Sequence, residues 1–488
     1  MTLSSVVTID AHRGSKPYSR MIFGQFLEHF HRQVYGGVFE PGSPLADEHG
    51  FRTDVIEALR ELRVPVVRWP GGCFVSAYHW ADGVGHPRRP AYDKAWRVED
   101  PNTFGTDEFV AWCRAIGAEP YICTNAGTGT PEEMSDWVEY CNLPDAGRWA
   151  KARQVNGHMS PHNVPYWSIG NENYGDWEMG AKTAAEWGRF VAESAKMMKR
   201  VDPSIKLLAA ALADVDWTLN LLRQAGQYLD MVSIHGYYDR LNQADEPSDY
   251  ATCVARSGRV EAAICLTEQI IGVAGFEGKL GIAFDEWNLR GWHHPIGNSP
   301  EAIAARDRND INATYTMADA VFSAGFLNTC LRHADTVRMA NMAPVVNTRG
   351  PLYVHPSGVV RRTTFHVLSM YANLLGERIG EAFIDSPIFA HDGLSVPALD
   401  AVATCDSGQE NWRLALVNRL PDQELACRIV VAGSPLEGIR QGVVLDGDGV
   451  DAYNDVDNPN RVVPQEKPLA FTDGVVHLPP HSVVILAV

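Results

Sequence analysis

Eight short apolar runs, each followed by a stretch of helical periodicity, constrain this chain more than any other feature. The runs fall at 21–27, 64–69, 119–124, 166–170, 205–211, 230–235, 280–285 and 337–342. Helical segments lie between them at 52–62, 106–116, 131–141, 181–200, 216–228, 259–273 and 302–328, and one more near 363–375 completes the cycle. Runs that are apolar throughout suit strands buried on both faces, as the strands of a parallel sheet are. Eight of them, each paired with a helix, predict a (β/α)8 TIM barrel over residues 16–376. A doubly wound open sheet is the alternative, and no G-x-G-x-x-G follows an early strand to favour it.

Beyond about residue 376 the texture changes to short β-rich runs, at 412–418, 427–431 and 483–488, separated by Gly, Pro, Asp and Asn. These predict an antiparallel, jelly-roll-like β-sandwich over 377–488. The opening run at 6–9, inside an N-terminal segment 1–15, is expected to pair into that sheet, and the Gly- and Asp-rich stretch 446–460 reads as one of its loops. With 488 residues, 45% of them hydrophobic, the chain has apolar surface enough for both units. A formal charge of -18 argues against nucleic acid, whose phosphates select basic faces. Nine cysteines without a C-x-x-C pair read as reduced packing residues. The first residues lack the basic and apolar pattern of a secretory leader, and no run approaches membrane-spanning length, so a cytoplasmic place with no membrane partner is expected.

Active sites of such barrels form at the C-terminal ends of the strands. Six strands here end in polar groups: Glu28-His29, Arg68-Trp69-Pro70-Gly71-Gly72, Thr124-Asn125, Asn171-Glu172, His235-Gly236-Tyr237 and Asp285-Glu286-Trp287-Asn288. One strand-end glutamate is ordinarily a solvated loop charge, but two in matched contexts are what glycosidic hydrolysis requires. One carboxylic acid protonates the departing oxygen, and a second carboxylate attacks the anomeric carbon or activates water. Glu172 suits the acid, since burial and neighbouring carboxylates favour its neutral form. Glu286 suits the nucleophile, with Arg68 and Tyr237 as partners. Asn171 is placed for the hydroxyl beside the anomeric carbon, and Glu28 for other ring hydroxyls. His235 taken alone reads more readily as a satisfied core or loop histidine than as a functional one. Trp69, Trp80, Trp96, Trp177, Trp287 and Trp292 are core aromatics or stacking faces for a sugar. His29 with His31, and His293 with His294, lack the spacing of a metal-binding helix, so neither metal nor cofactor is expected; G-x-S-x-G and Walker sequences are absent.

The motifs resemble those of glycoside hydrolase family 51. They run from Phe23-Gly24-Gln25-Phe26-Leu27-Glu28-His29 through Arg68-Trp69-Pro70-Gly71-Gly72, Tyr78-His79-Trp80, Thr128-Gly129-Thr130-Pro131 and Gly170-Asn171-Glu172-Asn173 to Ser233-Ile234-His235 and Phe284-Asp285-Glu286-Trp287-Asn288. That resemblance implies a retaining α-L-arabinofuranosidase with a barrel and a C-terminal sandwich, acting on arabinofuranose-containing oligosaccharides, and a homo-oligomer, often a hexamer. By position it implies Glu172 as acid/base and Glu286 as nucleophile, with Glu28, Arg68, Cys73, Asn171, His235 and Tyr237 lining the sugar subsite. The chain departs from the family pattern at Cys73, Pro344 and Arg290, expected to border the first sugar and the leaving group. They keep other glycosides, such as a β-D-xyloside, a β-D-galactofuranoside or a β-glucan, in view. A catalytically silent carbohydrate-binding protein would have lost one of the two glutamates, and both are present.

Overall fold

The computed structural model describes residues 3–11, 13–239, 246–291, 297 and 299–488. Eight strands close into a barrel: Gly24–Phe26, Val66–Trp69, Glu119–Thr124, Tyr166–Ile169, Lys206–Ala210, Met231–Asp239, Gly281–Arg290 and Val337–Met342. Each pairs in parallel with its sequence neighbours, and the eighth pairs with the first through Asn341 and Met342. Trp69, Trp167, Ile169, Leu207, Val232, Ile282 and Phe284 are wholly buried, as strands covered on both faces require.

The expected helix at 302–328 is two helices, Pro300–Asp307 and Met317–Arg332. Thr316 begins the second: its side chain accepts from the backbone of Ala318, and the Asp319 carboxylate accepts from the Thr316 N–H, a reciprocal cap that starts a new helix. The sixth and seventh strands also run further than expected, to Asp239 and Arg290, carrying the polar residues inside the ladder.

The remaining sheets lie outside the barrel. Seven strands, from Lys16–Pro17 and Arg378–Gly380 to Gly438–Leu445 and Gln465–Phe471, form the largest, five form a second, and three more are two-stranded ribbons. The opening strand Ser4–Ile9 joins the five-stranded sheet, antiparallel to Ala382–Asp385 and parallel to Leu425–Val431. Parallel pairing there is a departure from the purely antiparallel expectation; it arises because the strand enters from the far end of the chain instead of through a hairpin. No helix among the described residues is long and apolar enough to cross a membrane.

Candidate active site

The fourth barrel strand gives way at Gly170, φ +68°, where an added Cβ would lie 2.2 Å from Asn173 Oδ1. Two residues later Glu172 itself has φ +44°, a left-handed conformation uncommon for a residue with a side chain and typical of sites where the backbone is held under strain. The turn lets consecutive side chains reach the same barrel mouth: Asn171 Oδ1 accepts from Arg68 Nη2 at 2.7 Å, and Glu172 Oε1 lies 2.9 Å from His235 Nδ1.

On the seventh strand, strict alternation would send Asp285 and Glu286 to opposite faces. Both contact Arg68, Glu286 Oε2 at 2.8 Å and Asp285 Oδ2 at 3.3 Å. The pairing explains it: Ser233 faces Ala283 but His235 faces Glu286, while Phe284 faces Ala340 and Trp287 faces Met342. The seventh strand thus carries one extra residue against both neighbours, a bulge that turns the second carboxylate inward. Tyr237 donates to Glu286 Oε1 at 2.6 Å, and Tyr121 and Ser233 each donate to Asp285 at 2.6 Å.

Glu28 is placed by a close approach. Its Oε1 accepts from the Gly72 and Phe74 N–H groups at 3.0 and 3.2 Å, and a Cβ on Gly71, φ +154°, would lie 2.4 Å from Glu28 Cγ. A side chain at Gly72 would point between Glu286, Asn171 and Glu28, about equally far from each, which puts the Gly-Gly turn against the cavity those three share. Cys73 follows, its thiol beside Glu172 and Glu178. Glu28, Arg68, Cys73, Asn171, Glu172, His235, Tyr237 and Glu286 are therefore assembled in one place. One carboxylate oxygen of Glu172 and one of Glu286 lie within 4.8 Å of each other, with His235 between them.

Charge is unevenly balanced. Burial alone would lower the His235 pKa, but Glu286, Asp285 and Glu172 raise it to about 10. Burial would raise Asp285, yet the charge of Arg68 and the bond from His235 bring it down to about 2. Burial and the nearby charge of Glu286 push Glu28 up to about 8, against its two backbone donors. Glu172 corrects the expectation of a carboxyl held neutral: burial does act in that direction, but the bond and charge of His235 outweigh it and draw the group below the ordinary carboxylate value.

A second correction concerns Arg290. It does not border the sugar site: its guanidinium is buried between Asp319, at 2.8 Å, and Asp239, at 2.7 Å. Trp69, Trp80, Trp96 and Trp287 are core residues, whereas Trp177 is 62% exposed and donates to Glu172 Oε2 at 3.1 Å. Trp292, His293 and His294 lie outside the described residues. Sequence reasoning assigned no role to Asp285, Tyr174, Glu178 or Arg349. Tyr174 donates to Glu172 Oε1 at 3.3 Å, and the Arg349 guanidinium sits 5.4 Å from the centre of the Tyr237 ring. The adjacency of Asp285 and Glu286 was visible, but alternation hid its meaning.

Four groups of three His, Cys, Asp or Glu residues bring potential metal ligands within 4.8 Å among the described residues. Two of them use the carboxylates just described, and in a third, Asp107 with His158 and His162, the carboxylate already accepts from the Tyr140 hydroxyl at 2.8 Å and pairs with His162 Nε2 at 2.8 Å.

Residues 58–254 match the α-L-arabinofuranosidase 1 domain, and residues 285–482 match the α-L-arabinofuranosidase C-terminal domain. An intracellular exo-α-(1→5)-L-arabinofuranosidase of Halalkalibacterium halodurans is 34% identical over 93% of this chain and 92% of its own length. One from Bacillus subtilis is 33% identical over 91% and 90%. The crystal structure of the Thermotoga maritima α-L-arabinofuranosidase in complex with arabinose superposes with a TM-score of 0.88 at 33% identity, covering 99% of this chain and 100% of that one. The family 51 enzyme AbfB of Bifidobacterium longum gives 0.90 at 30% identity, with 100% of both chains covered. The chain belongs to the α-L-arabinofuranosidases of glycoside hydrolase family 51.

Proposed function

We propose that this protein is a retaining glycoside hydrolase that releases terminal α-L-arabinofuranosyl residues from arabinose-containing oligosaccharides by double displacement. The observation that carries the reading is that one carboxylate oxygen of Glu172 lies within 4.8 Å of one of Glu286, both beside His235 Nδ1. That spacing suits a nucleophile and a proton donor flanking one anomeric carbon, at roughly 5–5.5 Å between carboxyl groups; an inverting pair needs about 6.5–9.5 Å to admit water.

In this scheme Arg68 and Tyr237 hold one oxygen each of Glu286, which attacks the anomeric carbon. The proton for the leaving oxygen resides in the hydrogen bond between His235 Nδ1 and Glu172 Oε1 and is delivered from Glu172. Glu172, then a carboxylate, takes a proton from the water that cleaves the glycosyl-enzyme ester. Asn171, fixed by Arg68, and Glu28 receive sugar hydroxyls; Glu28 carries a proton at neutral pH and so donates as well as accepts.

The names of the two bacterial relatives and nine unpaired cysteine thiols support a reducing, cytoplasmic location. Family resemblance alone supports a hexamer; sedimentation of a 53.8 kDa species would remove that part of the proposal. The enzymatic reading is tested with a panel of aryl glycosides and proton NMR of the first product. Preference for the α-L-arabinofuranoside with retained anomeric configuration is expected. Inversion, or faster cleavage of a xyloside, galactofuranoside or glucan, would overturn it.

A further inference from the structure

His235 draws Glu172 toward its ionised form, while the first chemical step needs a proton there; the structure places a second carboxyl beside it that the scheme above leaves unused. Glu178 lies on the same loop and is 3% exposed. One of its oxygens, one oxygen of Glu172 and the Cys73 sulfur lie within 4.8 Å of one another. Glu178 Oε2 receives Asn171 Nδ2 at 3.5 Å. Its Oε1 accepts no well-formed hydrogen bond among the described residues, although Ser76 and Cys73 face it. The charges that act on it most strongly are those of the Glu172 and Glu286 carboxylates.

Resting on the reading of Glu172 as proton donor, we propose that Glu178 is a positioning residue for that donor, orienting Asn171 and, when ionised, acting as the like charge that keeps a proton on Glu172. A like charge this close in a water-poor site favours the neutral form of its neighbour. Burial, with the charges of Glu172 and Glu286 beside it, pushes Glu178 up to about 7, so the pair retains one proton up to about neutral pH, where a donor pulled down by His235 alone would already be ionised, and charge on Glu178 places that proton on Glu172. The two carboxyls then titrate as a pair and extend activity to higher pH.

The test is the pH dependence of kcat/KM for wild type and Glu178→Gln on two substrates. One is an arabino-oligosaccharide, whose leaving group must be protonated; the other is a 2,4-dinitrophenyl arabinofuranoside, whose leaving group departs without a proton. Gln keeps an acceptor for Asn171 and removes the charge. The alkaline limb on the oligosaccharide should move down by about one pH unit, the acidic limb should stay, and the dinitrophenyl profile should not move. Glu178→Asp, which restores a carboxylate, should bring the limb part of the way back. An unmoved limb with a uniform fall in rate, or equal shifts on both substrates, would reduce Glu178 to a packing role and overturn the proposal. Glu172→Ala assayed with azide separates the two claims. Rescue on the dinitrophenyl substrate upholds Glu172 as acid/base whatever Glu178 does, and no rescue removes the donor and this inference with it.

Discussion

Two buried arginines on barrel strands show how one set of ingredients makes either a strut or a reaction site. Arg290 sits between Asp319, gripped by two parallel bonds of 3.0 and 2.8 Å, and Asp239, whose other oxygen takes Arg256 and Ser248. Two cations meet two anions, and the cluster is closed. Arg68 also faces two carboxylates, but three acidic groups, Asp285, Glu286 and Glu172, share Arg68 and His235. The side chains of Glu286 and Glu172 stay 8% and 16% exposed, and the Gly71-Gly72 turn keeps the space beside them clear. A fully matched cluster fixes structure. An undermatched one that opens on a cavity is able to exchange a proton and accept a positively charged transition state.

The largest effect expected from this contrast is on turnover. Glu286→Ala should lower kcat/KM on 4-nitrophenyl α-L-arabinofuranoside by about 10⁴-fold or more, with thermal unfolding close to wild type. Retained turnover would remove Glu286 from the mechanism and dissolve the distinction.

At the closed cluster the effect should fall on stability instead. Asp319→Ala strands a buried guanidinium and removes the cap of Met317–Arg332, and should cost about 3–5 kcal/mol in denaturant unfolding. The folded fraction should keep kcat/KM within about threefold, an allowance for surface-like variation in the transition-state energy. Loss of activity without loss of stability would return Arg290 to the substrate site, where the family resemblance places it.

Acid titration sharpens the comparison further. Asp285 has a folded pKa of about 2, below its ordinary 3.8, so its contribution to stability is present above pH 3.8 and lost as the pH falls toward 2. That loss is about 2 kcal/mol by linkage. Unfolding midpoints measured from pH 5 to 2 should fall less steeply in Asp285→Asn than in wild type. An equal slope in the two proteins would mean that Asp285 is not held low by Arg68 and His235.

What the sequence revealed follows from these differences. Buried strands ending in Glu172 and Glu286 were readable because an apolar run interrupted by a carboxylate is a local signal. The eight strands emerged close to their expected positions for the same reason. The second start at Thr316 is also written locally, as Thr-x-x-Asp before an apolar helix, but the helical periodicity that continues on either side masks it. Arg290 was expected at the sugar rim because the family pattern puts that position there, whereas the extended strand pairs it with Asp239 and carries it to the helix of Asp319. The inward turn of both Asp285 and Glu286 depends on a bulge seen only through the registers of two neighbouring strands. Likewise, Glu172 drawn downward instead of upward depends on where His235 lies in space.

The smallest expected effects come from removing one hydroxyl at each cluster. Tyr237→Phe deletes the 2.6 Å bond to Glu286 Oε1 but leaves the ring against Arg349 and the opposite oxygen on Arg68. A hydrogen bond to a charged group contributes about 1.5–3 kcal/mol, so kcat/KM should fall by roughly 10- to 100-fold, with KM nearly unchanged because the hydroxyl acts on the nucleophile. Ser248→Ala deletes a bond of 2.5 Å to Asp239 and should lower stability by about 1 kcal/mol while leaving turnover alone, because Arg290 and Arg256 still pair with that carboxylate. Steady-state kinetics and denaturant midpoints on both variants decide the matter. If Tyr237→Phe shifts only the midpoint, the hydroxyl belongs to packing and the two clusters differ less than their geometry implies. If turnover falls as expected and the midpoint barely moves, orientation of a single carboxylate oxygen separates the reacting cluster from the supporting one.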